Sequence, residues 1–115
     1  MSKVSTKAFV DALLKIGKPK GKQLLFLNHH FNSPAKASTA SLLAHSAGYK
    51  NWRPVNLHYG KLAAKVGAEL GVTDPGFGVI LEFAGPKTVS NEHWILVMKP
   101  PFADALVEAG WVDNA

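Results

Sequence analysis

In STASLLAHSAGYKNWRPVNLHYGKLAAKVGAEL, residues Ser38 to Leu70, a short helix, a glycine turn and a longer helix follow one another. Ser38 or Thr39 can cap the first of these helices, because a hydroxyl oxygen satisfies amides that the first turn leaves unpaired. Leu42, Leu43 and Ala47 supply an apolar face at helical spacing. Gly48 ends the helix where a left-handed residue is needed, since glycine has no Cβ to clash. Val55, Tyr59, Leu62, Val66 and Leu70 then recur at helical steps, one stripe of an amphipathic helix from about Trp52 to Leu70. Two helices joined by such a turn make a helix-turn-helix, whose second helix can enter a DNA major groove.

Working outward, Ser5 or Thr6 can cap an earlier helix of about Lys7 to Ile16, which Gly17, Pro19 and Gly21 break. Lys18, Lys20 and Lys22 form a basic loop or helix start, either a phosphate clamp or a solvated linker. Gln23 to Phe31 reads as a further helix, with Leu24, Leu25, Leu27, His30 and Phe31 in reach of the core, and Asn32 to Ala37 as a loop. Beyond Leu70, Phe77–Phe83 and His93–Met98 are rich in β-branched and aromatic residues and read as two strands joined by a polar connection. Pro100 and Pro101 open a last helix that Gly110 stops, with Trp111 and Val112 folding back as an apolar anchor. The expected architecture is a single α+β domain over residues 1–115, resembling a winged helix-turn-helix. It has four helices, a two-stranded β-hairpin as the wing and one C-terminal helix.

The run TASLLAHSAGY followed by VNLHYGKLA also carries a family resemblance. It is similar to a small domain associated with bacterial His-Asn-His (HNH) restriction-type endonucleases, with a pattern of Thr-Ala, Leu-Ala, Gly-Tyr, then Val-Asn-Leu-x-Tyr-Gly-x-Leu. The pattern falls on Thr39, Ala40, Leu43, Ala44, Gly48, Tyr49, Val55, Asn56, Leu57, Tyr59, Gly60 and Leu62. No His-Asn-His nuclease core lies within these residues, so the resemblance implies a DNA-associated helical domain and not cleavage.

Composition agrees with a folded binding protein. The chain has 115 residues, 47% hydrophobic, with three Trp, six Phe and no Cys. Without cysteine there is neither a disulfide framework nor a thiolate metal site. His29 and His30 are adjacent, and His45, His58 and His93 are far apart, so no metal site or other cofactor is expected. The N-terminal MSKVSTKAFVDALLKIG lacks the apolar core of a signal peptide, and no run is long enough to span a membrane. A cytoplasmic protein of bacterial or phage type is expected. No nucleophile elbow or phosphate loop is present, and Glu82 and Glu92 are the only carboxylates near a histidine, so catalysis is not expected.

Charge is segregated. Up to Lys65 there are eleven basic residues against one acid, and beyond it seven acids against two lysines, within a total of +5. A basic half-chain attracts polyanions. The candidate contacts to double-stranded DNA are Lys18, Lys20, Lys22, Lys50, Asn51, Arg53, Asn56, Lys61, Lys65 and, at the hairpin tip, Lys87. Arg53, Lys61 and Lys65 fall away from the apolar stripe, at roughly 160°, 240° and 280° around the helix from Val55. Asn56 lies on the flank and could equally bond loop backbone. Leu57, at roughly 200°, points outward. Beside Trp52 it could form an apolar patch for a partner protein or a second copy of this chain. Two functions therefore stand. One is a DNA-binding module, a regulator or the reading part of a restriction or mobile-element system. The other is a phage- or mobile-element-type interaction or inhibitor module docking on an acidic protein.

Overall fold

Ser5 starts the first helix by accepting the Ala8 amide on its hydroxyl, 3.1 Å away. The computed structural model describes residues 5–73, 75–84 and 95–112. Five α-helices and three strands follow in order: α1 (Thr6–Ile16), α2 (Lys22–Asn32), β1 (Ala37–Thr39), α3 (Ala40–Ala47), α4 (Arg53–Glu69), β2 (Leu81–Ala84), β3 (Ile95–Met98) and α5 (Pro100–Glu108). The fold is α+β, with an antiparallel sheet in the order β1-β3-β2.

The helix-turn-helix residues do what their chemistry suggests. Thr39 caps α3 by accepting the Leu42 amide at 3.2 Å. Gly48 then adopts φ 81°, ψ 19°, and the Tyr49 amide reaches back to the Ala44 carbonyl at 2.9 Å, closing the helix with a left-handed cap. Along α4, Val55, Tyr59, Leu62 and Val66 are buried and Leu70 packs at the edge of the core. Phe9, Leu13, Phe26, Leu27, Leu43, Leu96, Phe102 and Leu106 join them in one cluster, as do Trp111 and Val112. Burial of this apolar surface is the main force holding the layers together.

Four expectations need correction. The sheet has three strands, not two: Ala37–Thr39 pairs with Val97–Ile95, in a stretch expected to be loop up to Ala37. Its Ala-Ser-Thr sequence has no strand-like alternation, and it is extended because β3 offers it a partner. Phe77–Val79 is a one-turn 3-10 helix, so the strand expected from Phe77 begins only at Leu81. A glycine on each side of Phe77 leaves that part of the chain free to turn instead of extending. Leu42 and Leu25 were expected to face the core and are 59% and 56% exposed. In each case the neighbouring positions (Leu43, and Phe26 with Leu27) fill the core, and the helix turns the remaining leucine outward. His93 and the hairpin connection lie outside the described residues.

One polar link ties three elements through the core. His30 on α2 is buried, with Nδ1 2.6 Å from the Tyr59 hydroxyl of α4 and Nε2 2.8 Å from the Leu96 carbonyl of β3. A carbonyl only accepts, so Nε2 carries the proton and Nδ1 accepts the Tyr59 O–H. Burial lowers the His30 pKa from 6.5 to about 4, outweighing the carbonyl hydrogen bond that raises it. Burial likewise pushes Tyr59 well above its ordinary value.

Behind α4 the returning chain passes unusually close. A Cβ on Gly67 would collide with the Pro75 ring, and one on Gly60 would stand 3.2 Å from Phe77. These two glycines set how near the 75–79 segment, which leads into the sheet, can lie to the helix.

Candidate nucleic-acid interface

The site is built on the turn between α3 and α4. Asn51 accepts the Arg53 amide on Oδ1 at 2.9 Å, satisfying one of the first-turn donors that have no acceptor within the helix, and Pro54 beside it has no amide hydrogen to satisfy. Its carbonyl oxygen is therefore engaged in starting the helix, while its amide hydrogens remain as donors. The Arg53 guanidinium lies 5.6 Å from the centre of the Trp52 ring, a cation–π contact. Trp52 is half-buried against the core, so it serves as a platform that limits where Arg53 can swing.

Lys22 brings the second basic segment to this turn. Its Nζ lies 3.5 Å from the Gly48 carbonyl and 5.1 Å from the centre of the Tyr49 ring. Residues 22 and 48 are thus stapled across 26 positions of sequence. Tyr49 in turn lies nearly parallel to His58 on α4, with ring centres 6.3 Å apart and 29° between planes. Lys18 and Lys20 are exposed on the loop between α1 and α2.

The same loop faces the flank of α4. Pro19 and Gln23 on one side and His58, Lys61, Leu62 and Lys65 on the other line an open groove of about 300 Å³. Lys61 and Lys65 are exposed at its rim. Burial, and after it the charge of Lys61, lower the His58 pKa below its ordinary value.

No family model, curated protein or solved structure matches the chain.

Of the residues named from sequence, Lys22, Lys50, Asn51 and Arg53 gather at the α3–α4 turn, while Lys61 and Lys65 face the 17–23 loop. Asn56 is half-buried on the helix flank, and Leu57 is 55% exposed. Lys87 lies outside the described residues. His58 and Gln23 were not singled out from sequence. A helical wheel carries the signal for His58, which sits at i−3 and i−7 from Lys61 and Lys65 and so shares their flank. For Gln23 no signal exists, because its role depends on how two distant segments meet. Among the described residues no three metal-ligating side chains converge, and no helix is long and apolar enough to cross a membrane.

Proposed function

We propose that this chain is a DNA-binding module of winged-helix type, with α4 as its recognition helix and no chemistry of its own. The observation that carries the proposal is the Lys22 staple. It joins the basic 18–22 loop to the Lys50–Arg53 turn, so that cations remote in sequence border one helix. A helix-turn-helix followed by paired strands, with a short strand ahead of it completing the sheet, is the arrangement of a winged helix, and the order β1-β3-β2 supports that reading. The resemblance of residues 39–62 to the restriction-associated domain points the same way, towards the reading part of a restriction or mobile-element system, or a regulator.

On this reading Arg53, exposed in the first turn of α4, reads a base edge. Lys61, two turns on, meets phosphate, because a straight helix diverges from the curved groove. Binding of a short duplex, titrated by fluorescence anisotropy at several salt concentrations, tests the proposal. If about four to six phosphates are neutralised, log affinity falls against log salt with a slope of roughly −4 to −5. Absence of binding at low salt, or indifference to salt, refutes it.

Leu57 favours a second reading. It is 55% exposed one turn beyond Arg53, on the outer face of the helix, where it suits a partner protein of acidic surface or a second copy of this chain. If Leu57→Asp abolishes function while Arg53→Ala and Lys61→Ala are silent, α4 is a protein-docking surface.

A further inference from the structure

The groove between the 17–23 loop and α4 has features that a major-groove reading of the α4 outer face does not use. Its floor is apolar, made by Leu62 and the buried Trp111. Its rim is cationic, and among the described residues no acidic side chain lines it. At about 300 Å³ it stands at the lower end of the range for small-ligand sites, large enough for a phosphate with the sugar attached to it. His58 is held in place there. Tyr49 lies against its ring, Phe26 packs at 6.3 Å, and both neighbours belong to the core or its edge.

We propose that this groove seats one phosphate of a nucleic-acid strand on the flank of α4, and that His58 takes up a proton as the phosphate enters. The proposal rests on the DNA-binding reading above and adds to it a pH-dependent contact. The groups that face His58 are Lys61 and Lys65 from its own helix, Gln23 and Phe26 from α2, Pro19 from the loop and Tyr49 from the turn. Lys22 adds its charge over the outer part of Tyr49. Tyr49, its pKa raised by burial, is neutral at ordinary pH and supplies no counter-charge. With only cations and neutral groups around it among the described residues, the imidazole is disfavoured in its charged form. An incoming phosphate supplies the missing negative charge, and by linkage any proton it draws onto His58 strengthens its own binding.

Short-duplex affinity of the full chain, measured at fixed salt near pH 6 and near pH 7.5, tests this with His58→Gln alongside. The native chain is expected to bind several-fold more tightly at the lower pH, bounded by about tenfold per pH unit for a single proton. His58→Gln is expected to change less than about twofold over the same interval. The other histidines are present in both proteins and cancel. Equal pH dependence in the two proteins overturns the proposal while leaving DNA binding intact. Loss of binding in both at every pH refutes the DNA reading itself, and the groove is then decided with inorganic phosphate as the probe. In that experiment the His58 imidazole signals are followed by NMR across the same pH range. A titration moved to higher pH by phosphate, and restored by Lys61→Ala with Lys65→Ala, supports a phosphate seat; an unmoved titration overturns it.

Discussion

Acid should loosen this fold through one residue. His30 is neutral in the native core, bonded on both nitrogens, and its pKa is lowered from 6.5 to about 4 by burial. A depressed pKa means that the unfolded chain binds the proton more readily than the folded one. The associated stability is therefore fully present above the unfolded value and is lost as pH falls from 6.5 towards 4. Linkage over that interval gives a loss of about 2 kcal/mol by pH 5, approaching about 3 kcal/mol below pH 4. For a domain of this size that is a sizeable part of the total stability. Urea denaturation at pH 7.5, 6, 5 and 4.5, compared with His30→Gln, isolates the effect, because the variant keeps every carboxylate and its amide N–H can still donate to the Leu96 carbonyl. The native chain should lose about 2 kcal/mol more than the variant between pH 7.5 and 5. Parallel curves for the two proteins, or an NMR titration placing His30 in the folded state at its ordinary value, would refute the reasoning.

Tyr59→Phe removes the hydroxyl that bonds His30 and leaves a buried acceptor unpaired, so denaturation should show a loss of about 1–3 kcal/mol. Gly67→Ala forces a methyl into the Pro75 ring and should cost about 1–3 kcal/mol by thermal melting. Gly60→Ala, facing a phenyl edge that can shift, should be near neutral because the gain in helix propensity of about 1 kcal/mol offsets the contact. In duplex titrations, Arg53→Ala should relax preference at one base position by about 1–3 kcal/mol, whereas Lys61→Ala should weaken all duplexes alike and flatten the salt slope by about one unit.

What could be read from sequence was whatever depends on local chemistry. The Thr39 cap, the Gly48 turn and the Val55–Tyr59–Leu62–Val66 stripe are all set within a few residues, and the structure has them where the pattern puts them. Arg53 and Leu57 faced outward for the same reason. β1 was not legible, because three small residues become a strand only in the presence of β3. Nor was the His30–Tyr59 bond, which joins residues 29 positions apart. The α1–α2 loop could be named as basic, yet its seat against the α3–α4 turn follows from Lys22 reaching Gly48, a contact that periodicity does not encode.

The spacing of Gly60 and Gly67 separates two tasks along one helix. Both glycines lie on the side that the 75–79 segment crosses, whereas residues 57, 61 and 68 stand exposed further around the cylinder. At Gly67 the helix backbone meets the Pro75 ring with no Cβ between them, so there the crossing tolerates little adjustment. Exchanging residues 57, 61 and 68 would rewrite the chemistry offered to a partner while the helix keeps its packing against α1, α3 and the 75–79 segment. Such a surface can be redesigned, or can drift between nucleic-acid and protein recognition, without the scaffold having to be solved again.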